Sequence, residues 1–213
     1  MSHYDITTHT GNGTIDFRSD TVTHPTPAMR QAMYEAEGGD DVYGEDPTVN
    51  RLQAMAAERL GKEAGLLVLG GTMGNLVCLL THVGRGEEAI MGHVSHTFVS
   101  EQGAASGMGG IHPRTVQTQP NGTLDLAEVE AAIRADNEHY PRTRLVCVEN
   151  TSNSMGGRVI RAEYMRDLGA LARKHGLKVH VEGARIFNAA VALGVDARAL
   201  AADADSLTFC LSK

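Results

Sequence analysis

The chain alternates short, continuous apolar segments with segments whose apolar residues recur at helical spacing. Short apolar runs without polar alternation are typical of strands that are buried on both faces, and helices between such strands are typical of a parallel sheet. The predicted strands are Leu66–Leu69, Ala89–Met91, Leu145–Val148, Val179–Val181 and Ser206–Leu211. We therefore predict an α/β fold, with a mostly parallel sheet flanked by helices.

Start and stop signals mark the first two predicted helices. Thr26 precedes Pro27, which is the arrangement of a capping residue followed by proline at the first helical position, and Gly38 follows the last apolar position. Asp46-Pro47 repeats the device, and Gly61 ends that pattern. Further helices are predicted around residues 76–80, 126–133, 164–171 and 184–193.

The charge balance excludes two classes of partner. In 213 residues, 19 Lys and Arg stand against 26 Asp and Glu, for a formal net charge of -7. No basic surplus exists to neutralise nucleic acid or an anionic membrane, and no apolar run approaches the roughly 18 residues that cross a bilayer. Residues 1–14 are polar and predict a flexible tail without a secretory signal, and residues 15–213 predict one domain.

The three cysteines are Cys78, Cys147 and Cys210. Their odd number, wide spacing and apolar neighbours predict buried free thiols. Free thiols are typical of a reducing compartment, so we expect a cytoplasmic protein.

In folds of this class a ligand lies beyond the carboxyl ends of the strands, so the residues that follow each predicted strand carry the argument about function. Gly70 to Asn75 follow the first predicted strand and open a helix, where backbone amides and the Thr72 hydroxyl could bind a phosphate. The alternative is an ordinary glycine-rich turn. The segment is not a Walker A loop, because no lysine follows it.

Other predicted strands also end in polar residues. His93 and His96 follow the second strand, and Glu149 follows the third. Glu182 follows the fourth strand, with Arg185 three residues later, and this pair is either a structural ion pair or a ligand clamp. A lone histidine in a loop is more often a surface residue than a catalytic one, so both interpretations stay open here.

Lys213 follows the last predicted strand, where its amine could form a Schiff base; the alternative is a solvated chain end. An anion site, a carboxylate and a lysine at one sheet edge are what pyridoxal 5'-phosphate requires. They supply a phosphate site, a partner for the pyridine nitrogen and an amine for the aldehyde. No metal site is predicted.

Five segments resemble the L-threonine aldolase family, which belongs to the fold type I pyridoxal-phosphate enzymes. They are IDFRSDTVT from Ile15, GDDVYGEDPTVN from Gly39, GTMGN from Gly71, GARIFN from Gly183 and FCLSK from Phe209. The resemblance runs from about residue 15 to the last residue. It implies a lyase that cleaves L-threonine, L-allo-threonine and related β-hydroxy-α-amino acids reversibly to glycine and an aldehyde.

The resemblance also implies how the cofactor would be held. Lys213 would form the Schiff base, and Gly71 and Thr72 would bind the phosphate. Glu182 occupies the position of the family's aspartate that pairs with the pyridinium nitrogen, and Arg185 would lie near the ring hydroxyl.

The same resemblance implies the substrate contacts and the assembly. His96 would stack on the cofactor ring and help to handle the proton of the β-hydroxyl group, while Ser19 and Arg185 would bind the substrate carboxylate. Family members complete each site with residues of a neighbouring subunit, so a homo-oligomer, and specifically a tetramer, is expected.

Three residues depart from the family pattern. Glu182 stands where the family has aspartate, Gly70 where serine is common, and Ser152 where histidine is common. Family members also continue past the position of Lys213 into a smaller C-terminal domain, so residues 15–213 are expected to correspond to the large domain of the family. Two alternatives to the aldolase therefore stay open: another fold type I activity, such as β-elimination or racemisation, and a catalytically silent relative.

Overall fold

The structure is a computed structural model that describes residues 15–213, so the predicted flexible tail at residues 1–14 lies outside the described residues. Contacts between residues divide the chain into two compact units. The described part of the first comprises residues 15–48 and 211–213, and the second comprises residues 49–210. That residues 15–213 form one domain stays a prediction.

Both proline-initiated helices form as predicted. Helix α1 spans Pro27–Glu35, and the Thr26 hydroxyl accepts a hydrogen bond from the Met29 amide at 3.2 Å. Helix α2 spans Pro47–Leu60. Gly61 follows it with a φ of +63°, the left-handed conformation in which glycine ends a helix at low cost.

The second unit contains a five-stranded sheet in the order β2-β1-β3-β4-β5, and every neighbouring pair is parallel. The strands are β1 Glu88–Gly92, β2 His112–Val116, β3 Thr143–Glu149, β4 Lys178–Glu182 and β5 Ser206–Thr208. The longer helices are α3 Gly71–His82, α7 Ala162–Lys174 and α8 Ile186–Leu193. The shorter ones are α4 His96–Val99, α5 Ala104–Gly107, α6 Leu126–Ala132 and α9 Ala197–Ala201.

Side chains that alternate along each strand build a separate apolar cluster on each face of the sheet. Ile90, Val146 and Val181 join the larger cluster, which includes residues of α6 to α9. Met91 and Cys147 join the smaller cluster, which includes residues of α3 and α5. Full burial of one such side chain contributes about 1.5–3 kcal/mol, so the two clusters fix the sheet between its helices. The predicted α/β fold is confirmed.

One predicted strand does not form, and another is shorter than predicted. Residues 66–69 form no strand, and the Leu69 side chain is 99% exposed. The segment has the composition of a strand, but no strand of residues 15–213 pairs with it, and the Leu67 amide donates instead to the Gln53 side chain at 2.9 Å. The last strand ends at Thr208 rather than Leu211, because its ladder with β4 ends there.

Strand β2 is absent from the prediction because its sequence lacks an apolar run. Pro113 and Arg114 lie within it, and only Val116 is buried. Proline cannot donate to a ladder and is tolerated at a sheet edge, which is where β2 lies.

The cysteines are free, as predicted. Cys147 is buried, whereas Cys78 and Cys210 are only partly buried, which corrects the expectation that all three are buried. Within residues 15–213, no helix has both the length and the apolar character needed to cross a membrane.

Candidate active site

Two glutamates lie side by side where β3 and β4 end. Glu149 and Glu182 are register partners on these parallel strands, so their side chains project from the same face. That face carries Cys147 and the smaller apolar cluster. Burial raises the pKa of the Glu149 carboxyl above its ordinary value, despite hydrogen bonds and nearby cationic groups, including Arg185, that lower it.

Glu182 is almost completely buried and only half satisfied. Its Oε2 accepts a hydrogen bond from the Thr97 amide at 2.8 Å, while Oε1 has no hydrogen-bond partner among the described residues. Burial raises the pKa of this carboxyl to about 8, and the charges of Glu149 and Glu101 act in the same direction. A ligand that offers a cationic N–H to Oε1 would stabilise the ionised form.

His96 begins helix α4 beside this carboxyl. Its Nδ1 lies 2.8 Å from Oε1 of Glu101, and the two side chains differ greatly in exposure, at 42% for His96 and 1% for Glu101. His93, the other candidate histidine, has a structural contact, because its Nδ1 accepts a hydrogen bond from the Thr118 amide at 2.9 Å. Of the two, His96 alone is a neighbour of the Glu182 contact at Thr97.

A buried polar network lies behind His96, and the sequence interpretation missed its members. Asn75 of α3 contacts Glu101, His180 and Thr208 through its side chain. The available signals were a single asparagine in an apolar helix and a single histidine within the Val179–Val181 strand. Burial lowers the pKa of His180 to about 3, so this imidazole is neutral.

The glycine-rich turn opens α3 as predicted. Gly70 is the capping residue in an extended conformation, and no side chain caps the helix. The first backbone hydrogen bond inward runs from the Gly74 amide to the Gly70 carbonyl at 3.0 Å. The amides of Gly71 and Thr72 therefore have no intrahelical acceptor, which is the usual basis of an anion site at a helix start.

Arg185 directly precedes α8 and is partly buried. The Gly183 that introduces it has no room for a side chain, since a Cβ there would lie 2.6 Å from the Thr208 carbonyl oxygen. The second unit thus contains five predicted site residues, namely Gly71, Thr72, His96, Glu182 and Arg185.

Ser19 and Lys213 belong to the first unit. The Ser19 hydroxyl caps a short turn by accepting a hydrogen bond from the Thr21 amide at 3.2 Å. Residues 211–213 are held by a hydrogen bond from the Thr23 hydroxyl to the Ser212 carbonyl at 3.0 Å. Among the described residues of this unit, none forms a hydrogen bond with the Lys213 ammonium group.

Ser152, the third departure, lines a small cavity near the ends of β1 and β3. Its hydroxyl donates to Glu149 Oε2 at 3.4 Å. The cavity is also lined by Ser95 and Thr118, whose buried hydroxyls have no partner among the described residues. In the described part of the chain, no group of three or more His, Cys, Asp or Glu side chains is arranged to hold a metal ion.

Comparison with known families decides the chain's membership. The model of the beta-eliminating lyase family matches residues 16–213. The chain belongs to this beta-eliminating lyase family. Among curated relatives, low-specificity L-threonine aldolase 1 of Arabidopsis thaliana is 50% identical over 202 residues, and these cover 93% of this chain and 56% of the relative.

A further curated relative and a solved structure are also similar to this chain. The low specificity L-threonine aldolase of Escherichia coli K12 is 48% identical over 199 residues, covering 93% of this chain and 59% of the relative. The solved threonine aldolase of Leishmania major has a TM-score of 0.75 at 24% identity, covering 88% of this chain and 55% of that one, which supports the fold. The chain thus spans between half and three fifths of the length of these relatives.

Proposed function

We propose that the protein is a pyridoxal-phosphate-dependent aldolase that cleaves L-threonine, L-allo-threonine and related β-hydroxy-α-amino acids reversibly to glycine and an aldehyde. The observation that carries the proposal is the buried Glu182 carboxyl, whose Oε1 lacks a partner among the described residues at a strand's carboxyl end. An orphaned acceptor in that position fits the pyridine nitrogen of the cofactor. Two relatives close to 50% identity carry the name low-specificity L-threonine aldolase, which supports the choice of reaction.

The lysines support the choice of Lys213 as the attachment point. The chain has four lysines, and three have their ammonium groups engaged. Lys62 donates to the carbonyls of Ala201 and Ala204, Lys174 donates to Glu130, and Lys178 donates to Asp205. Lys213 is free of such contacts within its own unit and follows β5 by five residues.

The remaining cofactor contacts follow from the residues at α3 and β4. The amides of Gly71 and Thr72, with the Thr72 hydroxyl, would bind the phosphate, and Glu182 Oε1 would bind the ring nitrogen. Arg185 would lie near the ring hydroxyl. Once bound, pyridoxal phosphate supplies an acceptor for the electron pair released from the Cα–Cβ bond.

Residues of this chain would bind the substrate and accept its proton. Ser19 and Arg185 bind the α-carboxylate and thereby hold the Cα–Cβ bond in the reactive orientation. His96 would stack on the ring and would take the β-hydroxyl proton at Nε2, the nitrogen that does not contact Glu101. Departure of that proton turns the β-carbon into the carbonyl carbon of the aldehyde as the bond to Cα breaks.

A product assay tests the reaction. Incubation with L-threonine is expected to release glycine and acetaldehyde in equal amounts, and Lys213→Ala is expected to abolish this release. Lys174→Ala, which removes a surface lysine paired with Glu130, is the matched control and is expected to keep the activity. Release of a keto acid and ammonia, or racemised substrate, would contradict the aldolase and favour another activity.

Mapping of the cofactor provides a second test. After reduction with borohydride, the pyridoxyl group is expected on the peptide that contains Lys213. Its recovery on Lys62, Lys174 or Lys178 would contradict the assignment, and failure to form any reducible adduct would indicate a catalytically silent relative.

The proposal extends to assembly and location. Large apolar side chains of the first unit are strongly exposed, including Phe17 at 91% and Val42 at 89%, and such exposure is typical of an interface. This exposure supports an oligomer, and the number of four subunits is the one that the resemblance to the L-threonine aldolase family implies.

The free thiols favour the cytoplasm as the location. A monomeric mass by light scattering of an active preparation would contradict the assembly, and fractionation of the source cells tests the location.

A further inference from the structure

We propose that Glu101 is a positioning residue that fixes the tautomer of His96, holding the proton on Nδ1 and leaving Nε2 as the proton acceptor. The inference rests on the function proposed above, in which His96 takes the β-hydroxyl proton. It adds a residue that touches neither substrate nor cofactor and acts through the imidazole.

The contact between the two side chains has the form that such a role needs. Glu101 Oε1 lies 2.8 Å from His96 Nδ1, and the carboxyl is buried while the imidazole is partly exposed. Glu101 follows α4 in sequence and lies five residues after His96. The buried group is thus fixed, and the exposed ring is the one that meets a ligand.

Asn75 determines which atom carries the proton. Its Oδ1 lies 2.6 Å from the Thr208 hydroxyl and 3.2 Å from Nε2 of His180, and its Nδ2 lies 2.7 Å from Glu101 Oε1. An amide nitrogen can only donate, so Oε1 accepts from Asn75. In the carboxylate form of Glu101, Oε1 has no hydrogen to give, so the hydrogen of its contact with His96 lies on Nδ1.

The network continues behind Asn75 and holds it in one orientation. His180 Nε2 lies 3.2 Å from Asn75 Oδ1, and its Nδ1 lies 3.0 Å from the Ser206 hydroxyl oxygen. His82 Nε2 lies 2.9 Å from the same hydroxyl and completes the line. A flipped Asn75 amide would set its oxygen against the Glu101 carboxylate, and two acceptors would then face each other, so the orientation with Nδ2 towards Glu101 is the one that satisfies both groups.

The consequence for His96 is a lone pair on Nε2. A neutral imidazole has one donor and one acceptor nitrogen, and the hydrogen bond at one nitrogen decides the state of the other. With Nδ1–H directed at Glu101, Nε2 can accept the β-hydroxyl proton without a prior change of tautomer. The imidazolium formed in that step is then stabilised by the carboxylate at Nδ1, as in other oriented acid–base pairs.

Nitrogen NMR tests the assignment directly on the cofactor-loaded protein. In a two-bond proton–nitrogen spectrum recorded at alkaline pH, His96 is expected to show a protonated Nδ1 and a bare Nε2. Glu101→Gln keeps an acceptor oxygen and is expected to keep this tautomer, whereas Glu101→Ala is expected to shift His96 mainly to the Nε2–H form. Finding the Nε2–H form in the unaltered protein would overturn the proposal.

Kinetics supply the second readout. Glu101→Ala is expected to lower kcat for L-threonine cleavage by about 100-fold with KM changed by less than about threefold, and Glu101→Gln is expected to restore much of that loss. Equal kcat in Glu101→Ala and the unaltered protein would overturn the proposal. So would a Glu101→Ala variant that loses activity while His96 keeps its tautomer.

Another glutamate–histidine pair serves as the matched control. Glu130 Oε1 lies 2.8 Å from Nε2 of His175 on the surface, so Glu130→Ala removes a contact of similar length away from the site. This variant is expected to leave the His96 spectrum and kcat unchanged. An unaltered protein that shows the expected His96 tautomer but releases no glycine would contradict the proposed function while supporting the Glu101 contact.

Discussion

The Thr97 amide donates a hydrogen bond to Glu182 Oε2 at 2.8 Å, and the other oxygen of the same buried carboxyl has no partner among residues 15–213. One oxygen therefore anchors the side chain to the start of α4 and the other stays available for a ligand. Because burial raises its pKa to about 8, the Glu182 carboxyl is mostly protonated at neutral pH in the absence of a cationic partner. Its titration connects the site to the stability of the fold.

Glu182→Gln is expected to remove the loss of stability that the unaltered protein shows as the pH rises from about 4.5 to about 8. The folded carboxyl has a pKa of about 8 against an ordinary value of 4.5, so between these values the folded state holds a proton that the unfolded chain has released. The contribution of this proton to the free energy of unfolding is fully present below about pH 4.5 and is lost as the pH rises to about 8. Over this range the free energy of unfolding falls by up to about 1.4 kcal/mol per pH unit. Glutamine does not titrate, so the variant gains stability relative to the unaltered protein as the pH rises.

Urea unfolding of the cofactor-free protein at several pH values in that window measures the difference between the two proteins. A difference that stays constant with pH would show that Glu182 does not titrate as its burial implies.

Gly70→Ser is expected to strengthen cofactor binding. A Cβ at Gly70 meets no atom within 4 Å, and the backbone there is extended, so serine fits without strain. Its hydroxyl is placed at the start of α3, where it can cap an amide or donate to the phosphate. We expect about a three- to tenfold lower Kd for pyridoxal phosphate, which corresponds to one added hydrogen bond, and a few tenths of a kcal/mol in stability.

Titration of the cofactor absorbance measures this Kd. Gly38→Ser is the matched control, because its Cβ also meets no atom within 4 Å but lies far along the chain from α3. An equal change of Kd in both variants would contradict a local effect at the helix start.

The sequence predicts the buried strands well because β1, β3 and β4 must each be apolar on both faces. The positions of His96 beyond β1 and of Glu182 at the end of β4 follow from the same pattern. The roles of Glu101 and Asn75 could not be predicted, because each depends on a contact with a residue distant in sequence. Glu101 contacts Asn75, and Asn75 contacts Thr208. The strand prediction for residues 66–69 is wrong for a related reason. An apolar composition indicates a tendency to be buried, but it does not show whether a neighbouring strand is present to pair with the segment.

Gly92→Ala is expected to destabilise the protein by about 1–3 kcal/mol. An added Cβ would lie 2.5 Å from the Thr118 hydroxyl oxygen and 3.3 Å from a methyl group of Leu124, so a buried side chain must move. Removal of that hydroxyl in Gly92→Ala/Thr118→Ala is expected to recover at least about 1 kcal/mol beyond additivity.

Chemical denaturation of the two single variants and the double variant gives the coupling energy. Gly107→Ala is the control, because a Cβ there meets no atom within 4 Å and no destabilisation is expected. Strictly additive effects of the Gly92 and Thr118 changes would exclude this contact as the cause.

Arg134→Ala is expected to lower the free energy of unfolding by about 2 kcal/mol. Glu88 is fully buried, and its Oε2 lies 3.4 Å from Arg134 Nε, while its Oε1 accepts a hydrogen bond from the Thr143 hydroxyl. Loss of the guanidinium removes a cationic partner from a buried carboxyl. The surface pair of Arg142 and Asp136, at 3.4 Å and mostly exposed, offers a contrast, and Arg142→Ala is expected to cost less than about 0.5 kcal/mol.

Denaturation midpoints of the two arginine variants test the difference. Equal losses in both would mean that burial of the carboxyl does not set the cost.

Along β4, side chains that pack in the apolar core alternate with polar side chains at the candidate site. Val179 and Val181 belong to the larger apolar cluster, whereas His180 joins the polar network and the Glu182 carboxyl keeps one oxygen without a partner among the described residues. Substitutions at the even-numbered positions can therefore alter reactivity while the cohesion of the opposite layer persists. Residues at the candidate site on β4 can therefore change during evolution while the valines that pack in the core are kept.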